Sequence, residues 1–566
     1  MKTYFASGIM ERLRGRFERL YGNRADRCLS RLAMMIGRYG LGEEPVPPGP
    51  RWTEKDAWLI TYADAIRAAG EKPLATLKRF LDRRLAGAIN TAHLLPFFPS
   101  SSDDGFSVVH YRTVRPELGS WADIRALGES FGLMMDLVLN HVSRRSGWFL
   151  DYQAAVAPGR HYFIEADPAA DWTAVMRPRS TPLLHPVETR GGTRHVWTTF
   201  SEDQVDLDYS NPDVLFELLD ILLFYVSMGA RVIRLDAIAY LWKKPGTPCI
   251  HLPETHEIVK LMRDFLALAA PRVLLLTETN VPHGENVAYF GNGDEAHLVY
   301  QFSLPPLILH ALLRGDASAL TRWAGELAAP PPGCTFLNFT ASHDGIGVRP
   351  LQGLVPDGEI RWLENEVRAR GGQVSHKRNA DGSESPYELN CAWFSALSDP
   401  DPERHAARFL CSQAMMLALR GVPALYLNNL LAAPNDAEAV SRTGRARSIN
   451  RRAWTEAEVQ ARLDDPGSPA ARVFRALTDL LKSRAAQSAF HPDGEQRILD
   501  LGPAVFAVER TAPGGGGRVL ALHNCSERTV EVRLPGDTGW KGMVGDPWAG
   551  PRPALRPYAF AWLVPA

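Results

Sequence analysis

The sequence predicts an α/β protein built on a closed (β/α)8 TIM barrel, with an N-terminal helical extension, two inserted subdomains and a C-terminal all-β domain. Three features of the chain predict this architecture. Short apolar runs alternate with longer helical patterns from residue 57 onward, two polar stretches interrupt the alternation, and short alternating strands dominate after residue 487. Repeated βα units over about 400 residues imply a parallel sheet, and at that length a closed barrel is the simplest arrangement.

The first 56 residues predict a helical extension. Apolar residues recur there at helical spacing in two groups, namely Ile9, Leu13, Phe17 and Leu20, then Leu29, Leu32, Met35 and Ile36. This spacing predicts two amphipathic helices. The proline-rich stretch 43–51 ends the unit. We expect it to act as a packing or dimerisation appendage rather than to carry chemistry.

The barrel region is read from its apolar runs and helical patterns. Strand-like runs lie at 58–62, 88–95, 133–138, 230–235 and 272–276, and helical patterns at 73–84 and 212–227. We therefore divide the chain into the N-terminal extension (1–56), three barrel parts (57–142, 207–348 and 400–486), an inserted B subdomain (143–206), a B′ loop subdomain (349–399) and a C-terminal β-sandwich (487–566).

Composition excludes several classes of function. The 566 residues include 63 Lys and Arg against 64 Asp and Glu, a net formal charge of −1, so the chain lacks the basic surplus that nucleic-acid binding requires. The six cysteines show no metal-ligand spacing, and no apolar run approaches the ~18 residues of a membrane span. We expect a cytoplasmic, membrane-free protein with reduced thiols, no nucleic-acid partner and no metal.

Polar residues follow several predicted strands at the point where the apolar run stops. They are Asp236, Glu278, Asp344 and His141. Because the carboxyl ends of barrel strands share one mouth, these side chains are expected to converge there. Taken singly, each carboxylate has an alternative explanation as a helix N-cap or a loop ion pair, and Asn140-His141 as a satisfied turn, so the prediction depends on the set.

Arg234 strengthens this prediction. It precedes Asp236 by two positions, so both side chains lie on the same face of one strand. An arginine that points into a barrel mouth needs a carboxylate partner. Pairing with Asp236 is expected to keep that carboxyl ionised and therefore nucleophilic.

Several motifs resemble the α-amylase superfamily, glycoside hydrolase family 13, and within it the sucrose phosphorylase subfamily. The four superfamily-like segments are DLVLNH (136–141), RVIRLDA (231–237), TE (277–278) and SHDGIGV (342–348). The subfamily-like segments are LITYAD (59–64), LLPFFPSSSDDGFSVVHY (94–111), LGSWADI (118–124), RPR (177–179) and INR (449–451). The resemblance extends from about residue 59 to the end.

The resemblance implies a role for each matching residue. Asp236 matches the nucleophile that forms a β-glucosyl-enzyme ester, Glu278 the general acid/base, and Asp344 the third carboxylate, which binds glucosyl hydroxyls. The residues that match the lining of the glucosyl subsite are Asp103, Phe106, His141, Arg234, His343 and Arg451. Retaining glycosyl transfer needs two carboxyl groups, one ionised and one protonated, and no metal or cofactor.

The resemblance also implies that inorganic phosphate, rather than water, attacks the intermediate. Phosphate brings charge into a dry pocket, so cations are required on the acceptor side. Arg179 matches the arginine that has this role in sucrose phosphorylases, and a solvated loop charge is its structural alternative. Lys377, Arg378 and Arg442 are further candidate loop cations.

The acceptor is predicted from departures from sucrose phosphorylases proper. The segments that begin at Tyr240 and Thr279 resemble the branch whose acceptor is D-glycerate, and Tyr387 and Glu388 lie in the B′ loop. Glu388 replaces a glutamine, which removes an amide donor for fructose. The implied activity is reversible phosphorolysis of 2-O-α-D-glucosyl-D-glycerate to α-D-glucose 1-phosphate and D-glycerate, with retention.

Other activities stay open. Within the subfamily these are phosphorolysis of sucrose, sucrose 6′-phosphate or glucosylglycerol. An α-glucosidase would release free glucose instead, and a non-catalytic barrel of the transporter-subunit kind typically lacks the carboxylate set. A homodimer is left open, because relatives often dimerise and nothing in the residues decides it.

Overall fold

The computed structural model describes residues 2–42, 49–378, 383–534, 539–548 and 553–566. Most of the predicted linker 43–51 lies outside the described residues. The helices are α1 Lys2–Tyr21, α2 Ala25–Arg38, α3 Pro73–Arg84, α4 Trp121–Gly128, α5 Gly147–Ala154, α6 Pro212–Ser227, α7 Pro253–Ala269, α8 His283–Val287, α9 Leu304–Arg314, α10 Ser318–Glu326, α11 Asp357–Ala369, α12 Trp393–Ala396, α13 Pro402–Ala418, α14 Leu427–Leu430, α15 Ala437–Thr443, α16 Glu456–Asp464 and α17 Pro469–Ala485.

The strands lie between these helices and after them. They are β1 Trp58–Thr61, β2 Ile66–Arg67, β3 Thr91–Leu94, β4 Gly132–Val138, β5 His141–Ser143, β6 Leu184–Thr189, β7 Gly192–Trp197, β8 Gln204–Asp206, β9 Ala230–Asp236, β10 Leu274–Thr277, β11 Leu298–Tyr300, β12 Thr335–Phe339, β13 Ile346–Gly347, β14 Gln373–Arg378, β15 Glu384–Asn390, β16 Val422–Tyr426, β17 Trp454–Thr455, β18 Glu495–Asp500, β19 Val505–Thr511, β20 Arg518–Asn524, β21 Val530–Glu531, β22 Trp540–Gly545, β23 Ala554–Leu555 and β24 Phe560–Pro565.

A closed parallel barrel forms the centre of the molecule, which confirms the predicted fold class. Its strands follow the order β1, β16, β12, β11, β10, β9, β4 and β3, and β3 closes the ring on β1. The strand residues are almost all buried, as expected for a barrel whose interior is filled by side chains and whose outside is covered by helices. All eight carboxyl ends therefore open on one face.

The N-terminal helices pack against the outside of this barrel. The rings of Phe17 on α1 and Phe216 on α6 stack with their centroids 5.9 Å apart. On the same helix, Arg16 is buried and its Nε donates to the carboxylate of Asp264 on α7 at 2.7 Å. Apolar packing and a buried ion pair thus attach the extension to the barrel. Its role as a packing or dimerisation appendage stays a prediction.

Smaller sheets lie in the insertions between barrel elements and at the C-terminus. The pairs β5–β8 and β6–β7 lie between β4 and α6, and a three-stranded sheet in the order β13, β15, β14 follows β12. After α17 the chain forms a five-stranded antiparallel sheet in the order β18, β19, β20, β24, β22, together with the pair β21–β23. This confirms the predicted C-terminal all-β region.

All six cysteines are buried and free. No helix in the described part of the chain is both long and apolar enough to cross a lipid bilayer.

Candidate active site

Three carboxylates from three barrel strands meet in one cavity of about 80 Å³ at the carboxyl face. Asp236 is the last residue of β9, Glu278 directly follows β10, and Asp344 lies on the loop after β12. His141 and His343 line the same cavity. The structure therefore brings together the strand-end residues that the sequence singled out, because parallel strands deliver them to one rim.

Arg234 lies beneath the carboxylates and forms ion pairs with two aspartates, Asp136 and Asp236. The barrel register places Asp136 of β4 beside Arg234 of β9. Arg234 Nη1 donates to Asp136 at 2.5 Å and to Asp236 at 2.7 Å, and its Nη2 lies 4.0 Å from Glu278. Asp136 is fully buried and its second oxygen contacts His93 Nε2 at 2.7 Å. The predicted Arg234–Asp236 pair is present, but the arginine is divided between two aspartates.

The protonation of the Asp236–Glu278 pair follows from burial. Burial raises the pKa of Asp236 well above its ordinary value, and Arg234 offsets this only in part. Burial likewise raises the pKa of Glu278, again with Arg234 opposing. Arg234 therefore opposes the effect of burial on Asp236 without cancelling it, and the expectation that this arginine keeps Asp236 ionised stays a prediction. Each carboxyl is affected by the charge of the other. The pKa at which the first proton is lost is therefore a property of both carboxyls together.

The hydrogen bonds around the two carboxyls indicate which of them is better placed to carry the shared proton. Asp236 accepts a direct charge-assisted bond from Arg234, whereas the guanidinium only approaches Glu278. The backbone N–H of Ala237 donates to Glu278 Oε2 at 3.2 Å, and Ala237 has a left-handed φ of 52°. Oε2 is thus occupied by a donor, which leaves Oε1 as the oxygen that can carry a proton into the cavity.

The pKa of Asp344 is shifted in the opposite direction, downward. Burial alone would raise its pKa, but the guanidinium groups of Arg447 and Arg451 outweigh burial and hold the pKa well below its ordinary value. Arg447 Nη1 lies 2.7 Å from Asp344 Oδ1, and Arg451 Nη2 lies 3.6 Å from the same oxygen. Asp344 is therefore an anion throughout the neutral range, which suits a group that accepts bonds from sugar hydroxyls.

Rings and amides line the side of the cavity next to Asp344. Phe106 stacks on His343 with centroids 5.0 Å apart and an interplanar angle of 7°. Burial lowers the pKa of His343 to about 3, so this imidazole is neutral. His141 Nε2 lies 3.0 Å from the carbonyl oxygen of Phe106, and the Gln204 amide donates to Asp103 at 3.2 Å. These polar groups face one small space, which suits the hydroxyls of a single sugar ring.

The cavity is also lined by Arg179, Tyr387, Glu388 and Arg447. Glu388 is 1% exposed and receives Arg447 in a fork, with Nε and Nη2 donating at 2.9 and 2.8 Å. Its charge is therefore neutralised by an arginine, an arrangement that the sequence did not predict. Arg179 lies 5.9 Å from the ring of Tyr387 and forms no ion pair with any residue that the structure describes.

Two glycines allow the segment 345–347 to approach both β15, which carries Tyr387 and Glu388, and Asn280. A Cβ at position 345 would come within 2.8 Å of the carbonyl oxygen of Leu389 and within 2.5 Å of Glu388 Cγ. A Cβ at position 347 would collide with the amide group of Asn280. Both positions therefore require glycine because no atom of a side chain fits there.

Some predicted residues lie outside the cavity lining. Arg451 stands behind the site, where its Nε donates to the carbonyl oxygen of His343 at 2.7 Å. Tyr240 packs edge-on against Phe200, which itself lines the cavity. Their positions favour a role in holding other groups rather than direct contact.

The extra loop cations are also elsewhere. Arg442 lines a different cavity. Lys377 is not part of the described lining, and the side chain of Arg378 lies outside the described residues.

Arg447, Asp136, Gln204 and Asn280 are site residues that sequence reasoning missed. Arg447 lies only four positions before Arg451, and an arginine-rich loop after the last barrel strand was a signal in favour of it. Asp136 is a carboxylate inside an apolar strand, which requires a buried cation as its partner. Gln204 and Asn280 carried no signal, because a single amide in a loop has no recognisable pattern.

No group of three or more His, Cys, Asp or Glu side chains in the described ranges is arranged to hold a metal ion. The predicted absence of a metal and a cofactor stays a prediction.

The sequence of this chain is similar to those of known proteins. Residues 87–321 match the family described as alpha amylase, catalytic domain. A glucosylglycerate phosphorylase of Allomeiothermus silvanus is 46% identical over 555 residues, covering 96% of this chain and 97% of that protein. Another, of Spirochaeta thermophila, is 49% identical over 482 residues, covering 85% and 82%.

A solved structure agrees with these relatives. The crystal structure of sucrose 6F-phosphate phosphorylase from Thermoanaerobacter thermosaccharolyticum is 27% identical, with a TM-score of 0.73 over 83% of this chain and 94% of that one. The resemblance drawn from the sequence motifs is confirmed. The chain belongs to the α-amylase family, glycoside hydrolase family 13, in the same branch as these phosphorylases.

Proposed function

We propose that this chain is a retaining phosphorylase that converts 2-O-α-D-glucosyl-D-glycerate and phosphate reversibly into α-D-glucose 1-phosphate and D-glycerate. The named relatives support the reaction. The observation that carries the proposal is Arg179, which lines the same cavity as the three carboxylates and forms no ion pair with a described residue. A hydrolase would gain nothing from a free positive charge where water attacks, whereas phosphate and glycerate are both anions.

The first half of the reaction transfers the glucosyl group to Asp236. An Asp236 oxygen attacks C1 while Glu278 donates its proton to the departing O2 of glycerate, so one C–O bond forms as another breaks. Asp344 accepts bonds from glucosyl hydroxyls that strengthen as C1 becomes cationic. The conversion of Asp236 into a neutral ester leaves Arg234 paired with Asp136.

In the second half of the reaction, the glucosyl group passes from Asp236 to phosphate. Glycerate leaves, phosphate takes its place, and Glu278, now ionised, accepts a proton from the phosphate oxygen that attacks C1. The ester bond to Asp236 breaks, and Glu278 regains its proton. Two inversions at C1 give net retention and therefore the α-anomer of glucose 1-phosphate.

Arg179 would serve both acceptors in turn. A guanidinium receives a carboxylate or a phosphate through the same fork of N–H groups. Glu388 does not repel these anions, because Arg447 neutralises it. The insertions 143–206 and 349–399 supply Arg179, Tyr387 and Glu388, so we assign acceptor selection to the proposed B and B′ subdomains.

The chain thus acts on small sugar and phosphate substrates. The cytoplasmic location, the absence of a cofactor and the homodimer stay predictions.

An acceptor panel tests the proposed function. The pure enzyme is incubated with α-D-glucose 1-phosphate and, separately, D-glycerate, glycerol, fructose or fructose 6-phosphate, and phosphate release is measured. We expect the highest kcat/KM with glycerate. In the reverse direction, NMR of the sugar phosphate is expected to show the α-anomer only.

An Arg179→Gln variant is the matched comparison. Loss of the guanidinium is expected to raise the KM for phosphate and for glycerate by about tenfold or more while affecting hydrolysis of glucose 1-phosphate far less. Faster turnover with another acceptor would replace glycerate, and free glucose as the main product would make the chain a hydrolase.

The rate is expected to follow a bell-shaped pH profile with both limbs above the ordinary carboxyl range of about pH 4. At low pH Asp236 and Glu278 are both protonated, so the rate rises with pH as Asp236 ionises and falls again when Glu278 ionises. Burial raises the pKa of both carboxyls and moves both limbs upward. Measuring kcat/KM between about pH 4 and 10 checks this, and an acid limb at or below pH 4 would contradict it.

A further inference from the structure

Three serine hydroxyls converge on one carboxylate oxygen of Asp203, the residue that directly precedes β8. Ser101 and Ser102 each donate to Asp203 Oδ2 at 2.5 Å, and Ser107 donates to the same oxygen at 2.8 Å. Asp203 is not part of the described lining of the active-site cavity, although the next residue, Gln204, is. A hydroxyl donates a single proton, so three donors on one oxygen are best matched by an ionised carboxylate.

The serines, rather than a cation, are the partners of the Asp203 carboxylate. Asp203 is half-buried and forms no ion pair with any residue in the described ranges. Burial alone would raise its pKa, but the hydrogen bonds from Ser101, Ser102 and Ser107 outweigh burial and hold the pKa below its ordinary value. The carboxylate is therefore charged at neutral pH, and hydroxyls from other parts of the chain stabilise that charge.

The three serines stand at the two ends of one loop, 101–107. Between them lie Asp103 and Phe106, which line the active-site cavity. Phe106 stacks on His343, and its carbonyl oxygen lies 3.0 Å from His141 Nε2. A carboxylate that binds both ends of the loop therefore fixes the side chains between them from outside the cavity lining.

Asp203 also contacts β5, the strand that begins with His141. Ser143 Oγ donates to Asp203 Oδ1 at 3.3 Å and lies 2.5 Å from Ser101 Oγ. On the chain itself, Asp203 is followed by the cavity residue Gln204. The carboxylate thus connects the loop, β5 and the start of β8, and each of these segments supplies at least one residue of the cavity.

The loop 101–107 needs such support because its backbone is strained. Asp103 and Asp104 have left-handed φ angles of 51° and 49°, which residues other than glycine adopt at a cost. At the next position, a Cβ on Gly105 would come within 2.8 Å of the carbonyl oxygen of Pro96. Contacts between the loop and the rest of the protein offset the cost of this conformation, and the bonds to the Asp203 carboxylate are among them.

We propose that Asp203 is a positioning residue for the glucosyl subsite: its carboxylate holds the loop 101–107 so that Asp103 and Phe106 bind the glucosyl ring, and it does not touch the substrate itself. This inference rests on the proposed glucosyl transfer but not on the identity of the acceptor. The hydrogen bonds of Asp203 in the described structure do not involve Asp236 or Glu278. Its loss is therefore expected to weaken the binding of the glucosyl ring rather than the chemistry of these two carboxyls.

Replacing Asp203 by Ala in the full chain tests this role. We expect kcat/KM for α-D-glucose 1-phosphate to fall, and the Kd of glucose to rise, by about tenfold or more. kcat/KM for the acceptor is expected to change less, because the glucosyl group is then already attached to Asp236. Asp203→Asn keeps an oxygen acceptor without the charge, so its effect is expected to lie between those of the wild type and Asp203→Ala. Rates are measured by phosphate release, and glucose binding by titration calorimetry.

Variants of the serines show whether Asp203 acts through the loop. The double variant Ser101→Ala with Ser102→Ala is expected to reproduce the loss, and adding Asp203→Ala to it should lower kcat/KM little further. Both serines are only half-buried, so this variant keeps the test valid if Asp203→Ala does not fold. Asp171→Asn is the matched control, because Asp171 is an exposed aspartate of the same insertion that accepts from the Thr173 hydroxyl at 2.6 Å. Its replacement should change neither kcat/KM nor the Kd of glucose.

A purely structural role of Asp203 would give a different result. The thermal midpoint of Asp203→Ala would fall, while the folded enzyme would keep the wild-type kcat/KM for glucose 1-phosphate and the wild-type Kd for glucose. That outcome, or full additivity of the serine and aspartate substitutions, would overturn the inference. A wild-type enzyme that releases no phosphate with any acceptor would instead refute the proposed function, and the Kd of glucose would still test Asp203.

Discussion

Replacing Asp236 by Asn is expected to lower kcat for phosphorolysis by at least about 10⁴-fold while leaving the fold intact. The amide cannot form the glucosyl ester, and the other described carboxylates of the cavity besides Glu278 are engaged elsewhere, Asp344 and Glu388 by Arg447 and Asp103 by Gln204. Burial disfavours the ionised form of Asp236, so its removal is expected to leave the thermal midpoint equal or slightly raised. Turnover is measured by phosphate release, and stability by thermal unfolding.

Asp479→Asn on the exposed face of α17 is the matched control and should retain full activity. A variant at position 236 that keeps more than a few per cent of the rate would refute the covalent mechanism. A variant that loses activity together with its cooperative unfolding transition would show instead that Asp236 supports the fold.

Replacing Arg447 by Gln is expected to impair both stability and activity. The guanidinium bridges Asp344 at 2.7 Å and Glu388 in a fork, and Glu388 is 1% exposed. Removing one partner of a buried pair leaves an uncompensated charge and costs about 3–5 kcal/mol. Asp344 also loses its strongest stabilising charge, so kcat/KM is expected to fall by roughly 10²-fold or more.

The double variant Arg447→Gln with Glu388→Gln separates the two effects. Removing the stranded carboxylate is expected to restore much of the free energy of unfolding, because no buried charge is left unpaired. Activity should not recover to the same extent, because Asp344 still lacks Arg447. Urea denaturation and kcat/KM of both single variants and the double variant complete the cycle, and additive stabilities would mean that the fork contributes no coupling.

Local patterns predicted some elements to the residue and others only roughly. The helices 73–84 and 212–227 are observed as α3 and α6 with the same bounds, because each begins with a proline that can occupy only the first turn. The run 88–95 is observed as the shorter strand β3, Thr91–Leu94. An apolar run in the sequence indicates that its residues are buried. Buried residues of the adjoining loops make the run longer than the strand itself.

Some residues of the site could be predicted from the sequence, and others could not. Asp236, Glu278 and Asp344 could be predicted because strand ends in a barrel converge whatever the loops do. Arg447 was marked only by the arginine-rich loop that carries it. Its partners Asp344 and Glu388 lie 103 and 59 positions away, so the contacts it makes with them could not be predicted. The protonation of Asp236 was also beyond reach, because it depends on how a buried arginine divides between two acids.

The glycines at 345 and 347 set a limit on how this enzyme can be redesigned. Gly345 lets the strand that carries Tyr387 and Glu388 approach the segment 345–347, and Gly347 lets the same segment approach Asn280, so these three parts of the chain share one steric boundary. Libraries that diversify 387 and 388 should therefore keep both glycines constant. Wider acceptor pockets are better sought by shortening side chains on β15 than by enlarging anything on the loop opposite.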